Sequence, residues 1–258
     1  MLSISPIPAF NDNYIWLLDN GSEAVVVDPG DAAPVQQVLA ERGLTLAGIL
    51  ITHHHFDHVG GLPALLAGRD IPVWGPRNPT VEQITRRLGA GDEITVLGAP
   101  FRVLEVPGHT LDHIAYFHDG EATGQPVLFC GDTLFAGGCG RLFEGTPEMM
   151  HASLQRLASL PAATLVYCAH EYTLANLAFA RAVEPDNQAL LERQQAAEAS
   201  REAGVPTVPS ELRTELSTNP FMRCESAGLQ ESLRRQGRLE ETAPAAVFAT
   251  VRAWKDNF

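Results

Sequence analysis

Lysine is nearly missing from this chain: of its 18 basic residues only Lys255 is one. Base composition alone can produce an arginine bias, so this scarcity excludes nothing by itself. The lack of a basic excess excludes more. Acidic residues outnumber basic ones by 31 to 18, a formal net charge of −13. General nucleic-acid binding needs a basic face, and an anionic membrane surface repels such a chain. Cysteine is scarce too. Cys130, Cys139, Cys168 and Cys224 form no C-x-x-C pair, and Cys130 and Cys168 lie in apolar runs. This argues for buried free thiols and against a disulfide framework. No apolar run reaches the roughly 20 residues of a membrane span. The opening Met1-Leu2-Ser3-Ile4-Ser5-Pro6 lacks the basic start and long apolar centre of a signal peptide. Together these absences predict a soluble protein of a reducing, cytoplasmic compartment.

What the chain has in excess is histidine in one place. Thr52-His53-His54-His55-Phe56-Asp57-His58-Val59-Gly60-Gly61 holds four of its nine histidines. The stretch follows the apolar run Ile49-Leu50-Ile51, which reads as the end of a buried strand. A strand tip fixes ligand direction because the sheet holds the backbone. In H-x-H-x-D-H, His53 and His55 alternate as in an extended chain, whereas Asp57 and His58 lie past the turn and can serve a second centre. Gly60-Gly61 is expected to let the backbone turn tightly before Leu62-Pro63 opens a helix.

The remaining pattern predicts an α/β fold. Its 258 residues suffice for one large domain or a domain with an appendage, and 45% hydrophobic residues predict a substantial core. Residues 1–30 read as strands, with a hairpin over 13–27. Asp28 sits at an apolar strand tip; it either holds a metal-binding histidine or caps the following turn. Residues 32–42 read as a helix stopped by Gly43, and 62–68 as a short one. Residues 71–74 read as a strand and 79–88 as helix or irregular. Strands return over 93–97, 101–106, 113–117, 127–130 and 164–168, with a helix over 147–159. This order predicts a layered domain over residues 1–170, two sheets between outer helices. Residues 171–258 have helical periodicity over 175–182, 188–203, 226–236 and 245–255, and read as a smaller helical domain.

Four apolar runs each end in a ligand-type residue. Residues 48–52 precede His53, 103–108 precede His109, 127–131 precede Asp132, and 165–169 precede His170. With His55, Asp57 and His58 the tally is five histidines and two aspartates. One zinc takes about four ligands, so seven exceed one metal. Hydrolytic metal pairs sit about 3.5–4 Å apart and need such a set when one carboxylate bridges. Imidazole and carboxylate without thiolate suit zinc, iron or manganese.

H-x-H-x-D-H with later G-H-T, G-D-T and H-E-Y-T resembles the metallo-β-lactamase superfamily, and within it the glyoxalase II family of hydroxyacylglutathione hydrolases. The closer likeness rests on Cys139-Gly140-Arg141-Leu142-Phe143-Glu144-Gly145-Thr146, on His170-Glu171-Tyr172-Thr173 and on a basic pair near the C-terminus. It implies an αββα sandwich with an all-helical C-terminal domain. It implies two divalent ions, zinc foremost, with His53, His55 and His109 on one, Asp57, His58 and His170 on the other, and Asp132 bridging. His54 would point away, His113 would support a ligand, and His118 and His151 read as ordinary surface residues.

The implied reaction is hydrolysis of S-(2-hydroxyacyl)glutathione, chiefly S-D-lactoylglutathione, by hydroxide held between the metals. Asp57, His58 and Asp132 would serve catalysis. Arg141, Phe143, Tyr172, Arg252 and Lys255 match the family's glutathione-binding positions. Arg252 and Lys255, three apart, share a helix face. The family often has tyrosine at the place of Phe143, and the superfamily often has glycine at the place of Asp112. No nucleic-acid or membrane partner is expected, and the chain reads as a monomer. The rival within the fold is an iron-dependent persulfide dioxygenase with one iron; the second ligand set and the long helical C-terminus argue against it.

Overall fold

The structure is a computed structural model and describes residues 1–258. The chain forms two compact units that interleave along the sequence. The first comprises Met1–Glu105, Asp112–Gly131 and Tyr167–His170, the second Val106–Leu111, Asp132–Val166 and Glu171–Phe258.

In the first unit, β1 (Ser3–Ala9), β2 (Asn13–Asp19), β3 (Glu23–Val27), β4 (Thr45–Leu50), β5 (Val73–Pro76) and β6 (Arg86–Leu88) form a sheet in chain order. The expected hairpin is the antiparallel β2–β3 pair, and β3 through β6 run parallel. Every residue of β2 is buried, as its unbroken apolar run requires. Helix α1 (Ala32–Arg42) makes the crossover from β3 to β4. Asp31 caps its start by accepting from Ala33 N, and Gly43, at φ 65°, ends it. Its Val35 and Leu39 enter the core with Ile15, Leu17, Ile49 and Ile51. Two short helices, α2 (Phe56–Val59) and α3 (Leu62–Leu66), follow β4. Within 79–88, expected as helix or irregular, Arg86–Leu88 is a strand. Pairing with β5 decides this, because three residues, two of them arginine, carry no readable alternation.

A second sheet holds β7 (Glu93–Val96), β8 (Ala99–Glu105), β9 (Ile114–His118) and β10 (Val127–Gly131), all antiparallel neighbours. Within this unit the sheets meet through buried aromatics. Tyr116 on β9 donates its hydroxyl to Ile51 O at 2.8 Å, and Trp16 on β2 lies edge-on to Tyr167. His118, expected at the surface, is buried instead. Its Nδ1 lies 2.8 Å from Pro100 O, its Nε2 accepts from Ala122 N, and its ring stacks on Phe101. It ends a strand whose five residues are all buried, which no local pattern at His118 reveals.

In the second unit, Val106–Leu111 is followed by the hairpin β11 (Leu134–Phe135) and β12 (Gly138–Cys139), then α4 (Pro147–Ala158), capped by Thr146. Strand β13 (Leu165–Cys168) pairs its first two residues with β14 (Ser210–Glu211). The rest is helical: α5 (Thr173–Val183), α6 (Gln188–Glu202), α8 (Ala227–Arg235) and α9 (Pro244–Asp256) stand where the sequence predicts helices, and α7 (Leu212–Thr218) is a further helix that the periodicity did not single out. His151 on α4, also expected at the surface, is half-buried near Phe248.

Candidate metal centre

In the first unit the ligand-type residues are held from behind by carboxylates. Asp28 follows β3 at φ 52°, a left-handed conformation that aspartate tolerates better than most residues. Its Oδ1 accepts from Thr52 N and its Oδ2 from Thr52 Oγ1, both at 2.7 Å. The same Oδ2 lies 3.1 Å from His58 Nδ1. Having given its proton to Asp28, Thr52 Oγ1 accepts from His53 Nδ1 at 3.1 Å. Of the two roles open to Asp28 in the sequence, orienting histidines is the one built. His170 has the same support from Asp12, whose Oδ1 is 2.8 Å from its Nδ1. A proton fixed on Nδ1 leaves Nε2 as the lone-pair nitrogen, the form that ligates metal.

Those inner nitrogens converge on Asp57. His58 Nε2 and His170 Nε2 each lie 3.4 Å from Asp57 Oδ2, which also accepts from Asn13 Nδ2 at 3.0 Å. Burial works to raise the Asp57 pKa. The neighbouring His170 and His58 imidazoles and the Asn13 amide outweigh it and hold the carboxyl well below the usual carboxylate range. Donor atoms of Asp57, His58 and His170 all lie within 4.8 Å of one another. Two imidazoles with their rear nitrogens occupied and an ionised carboxylate, all aimed at one point, fit a divalent cation.

His55 precedes α2, with its ring 4.7 Å from that of His53. His54 turns elsewhere, its Nδ1 3.0 Å from Asp112 Oδ1; Asp112 also accepts from Asn78 Nδ2. The aspartate that departs from the superfamily's glycine thus tethers the one histidine of the cluster that points away. His113 stacks on His53, centroids 4.6 Å apart and planes at 16°.

Backbone packing sets the ligand turn. Gly60 and Gly61 take ordinary helical angles, φ −59° and −79°, so the expected tight turn is not their purpose. A Cβ on Gly60 would stand 2.7 Å from Gly30 O, and one on Gly30 would overlap Asp57 O. The Pro29-Gly30 turn and α2 therefore touch backbone to backbone, and only glycine allows it. Gly131, before Asp132, differs: at φ 47° it is left-handed, and a Cβ there would overlap Thr52 Oγ1.

In the second unit, His109 and Asp132 face each other, Nε2 to Oδ2 at 3.4 Å. His109 Nδ1 lies 2.7 Å from Arg141 O, so a backbone carbonyl fixes this tautomer. A Cβ on Gly140 would overlap Asp132 O and lie 3.1 Å from His109 Nδ1. Phe143 donates its backbone N–H to His109 O and sets its ring edge-on to that imidazole, while 62% exposed. Arg141 is exposed, its Nε 3.7 Å from Asp256 Oδ1. Tyr172 is partly exposed and packs edge-on to Phe135. Arg252 is only 6% exposed and grips protein: Nη1 donates to Cys139 O at 3.2 Å and Nη2 to Asp256 Oδ1 at 2.8 Å. Lys255 is half-buried. Its Nζ donates to Ala175 O at 3.3 Å and sits over the Phe179 ring. Burial, helped by the charge of Arg252, pushes its pKa below the ordinary lysine value. Sequence reasoning missed Asp12, Asn13 and the Arg141 carbonyl. Asp12 ends the polar turn between β1 and β2 and Asn13 opens β2, and that adjacency was the only available signal.

The sequence profile of the metallo-beta-lactamase superfamily matches residues 9–170, and that of the hydroxyacylglutathione hydrolase C-terminus matches 171–258. The hydroxyacylglutathione hydrolase of Pseudomonas paraeruginosa is 53% identical over 261 residues, and that of Cupriavidus metallidurans 51% over 267; each match covers 100% of both chains. Among solved structures, TTHA1623 in a di-iron-bound form is 31% identical with a TM-score of 0.55, over 64% of this chain and 91% of its own. By its two profile matches and its full-length identity to these relatives, the chain belongs to the hydroxyacylglutathione hydrolase family of the metallo-beta-lactamase superfamily.

Proposed function

We propose that the chain hydrolyses S-(2-hydroxyacyl)glutathione thioesters, chiefly S-D-lactoylglutathione, to glutathione and a 2-hydroxy acid, D-lactate in the main case, and so serves methylglyoxal detoxification. The observation that carries this is full-length identity of 51–53% to hydroxyacylglutathione hydrolases. Two divalent ions per chain, zinc in preference to iron or manganese, would be held by His53, His55 and His109 and by Asp57, His58 and His170, with Asp132 common to both. Bound ions of this kind supply Lewis acidity, polarising the carbonyl and lowering the pKa of water towards neutrality.

The protein groups then have defined tasks. Asp28 and Asp12 keep protons on the outer nitrogens of His58 and His170, so the inner nitrogens stay basic. Asp57, held ionised, accepts a hydrogen bond from the attacking water and directs it at the thioester carbon. The water oxygen bonds to that carbon, the C–S bond breaks, and the glutathione sulfur gains a proton. No protein nucleophile is needed, and all four cysteines are buried. Arg141, Lys255, Arg252, Tyr172 and Phe143 would bind the glutathione moiety. In this reading residues 1–170 do the chemistry and 171–258 bind substrate. A monomer in the cytoplasm without a nucleic-acid partner is part of the proposal. The net charge of −13 supports it, as does the lack of any helix long and apolar enough to cross a membrane.

The test is thiol release from S-D-lactoylglutathione by purified protein, with metal analysis of the same sample. Turnover with two metals per chain is expected. Oxygen uptake on glutathione persulfide with a single iron, and no thioester hydrolysis, would replace this reading with the dioxygenase.

A further inference from the structure

The second unit contains a buried polar cluster that includes none of the ligand-type residues. Glu215 on α7 is fully buried, and five donors meet its carboxylate. Oε2 accepts from Gly137 N at 2.9 Å, from Asn219 Nδ2 at 3.1 Å and from Arg193 Nη1 at 3.1 Å; Oε1 accepts from Ser210 Oγ and Arg193 Nη2. Asn219 Nδ2 also donates to Gly138 O at 2.9 Å and to Phe135 O at 3.3 Å. Asn176 Nδ2 reaches Ala136 O at 3.2 Å from α5. Four consecutive residues of the β11–β12 hairpin, 135–138, are thus each held at the backbone by a C-terminal helix side chain. A tight turn ordinarily gives such groups to water.

The two ends of this hairpin matter. Asp132 lies two residues before β11. Arg141, whose carbonyl fixes the His109 tautomer, lies two residues after β12. Gly140 N donates to Thr133 O, which ties the ends together. We propose that Glu215 and Asn219 are positioning residues: they clamp the hairpin turn and thereby set where Asp132 and the Arg141 carbonyl stand. This rests on the metal-dependent reading above for its purpose, not for its geometry. All five contacts at Glu215 come from donors, so an acceptor-only carboxylate suits the place. A glutamine would turn its NH2 against at least two of them.

The experiment compares Glu215→Gln with Glu184→Gln. Glu184 is a second buried carboxylate of this unit, bonded by Arg223 Nε and Nη2 at 3.0 and 3.1 Å, with no hydrogen bond to the hairpin. Both variants should melt earlier than the parent. Only Glu215→Gln should speed amide exchange at Gly137 and Gly140 in metal-free protein. Only it should weaken zinc binding in chelator competition, by about tenfold, the low end for groups that support ligands. Asn219→Ser keeps an oxygen to cap Phe221 N while removing the donors to Phe135 and Gly138; it should move both readouts the same way and stands in if Glu215→Gln fails to fold. Unchanged exchange and zinc affinity in these variants, or equal changes in Glu184→Gln, would overturn the clamp. Neither readout uses a thioester, so a parent protein that binds zinc but hydrolyses none would overturn the proposed reaction alone.

Discussion

Single side chains decide which nitrogen faces the metal, and Asp28 is the clearest case. Replacing it by asparagine keeps the size but puts an NH2 where Thr52 Oγ1 and His58 Nδ1 need an acceptor. The His58 proton would then move to Nε2 and occupy its lone pair. Asp28→Asn should retain roughly 10–100-fold less zinc affinity, read as metal per chain after dialysis against a chelator; full retention would mean that Asp28 only stabilises its turn. Lys255 invites a second test. Its lowered pKa means its charge is present below that value and lost as pH rises through it, sooner than for an ordinary lysine. If it holds a glutathione carboxylate, KM should climb at alkaline pH, and Lys255→Arg should remove the climb because arginine stays charged. An identical pH profile in both proteins would remove Lys255 from the substrate site. At this scale the sequence displayed the candidate ligands well, since His and Asp at strand ends are conspicuous. It hid their supports: Asp12 looks like any turn residue, Asn13 like any strand start, and a carbonyl such as that of Arg141 has no letter of its own.

At the scale of elements, strands and helices followed from apolar runs and caps, and most bounds fell within two or three residues of expectation. Most of the misses were short pieces: β6, the β11–β12 hairpin and β14, none longer than three residues, and the helices α2 and α7, of four and seven. Glycine needs the structure to be read correctly. Gly30→Ala would drive a Cβ into Asp57 O and move the helix that carries Asp57 and His58. Overpacking of this kind costs about 1–3 kcal/mol. Both melting temperature and zinc affinity should drop. Gly228→Ala makes the contrast: its nearest neighbour is Ser226 Oγ at 3.7 Å, it lies exposed on α8, and alanine there should add about 0.5–1 kcal/mol with zinc affinity unchanged. A harmless Gly30→Ala would mean that the turn has room the backbone contacts deny.

For the whole molecule, the class and the helical C-terminal region were legible because periodicity changes after His170. The interleaving of the two compact units was not, because residues 106–111 and 132–166 carry no mark of the body they join. Metal removal is the test at this scale. A ligand bound only by the folded state at a hundred times its Kd adds about 2.7 kcal/mol. For a chain of this size that is roughly 5–10 °C of melting temperature. Chelated protein should melt lower by that amount and recover with two equivalents of zinc; recovery complete at one equivalent would contradict the paired centre. Lys255 has one more consequence, for anyone who attaches this protein to a surface. It offers the sole side-chain amine, on the last helix. Amine coupling would therefore immobilise a fraction of molecules through this residue, in one orientation and with a proposed substrate contact consumed. A biosensor prepared that way would under-report glutathione binding, and a tether at one of the many exposed carboxylates would not.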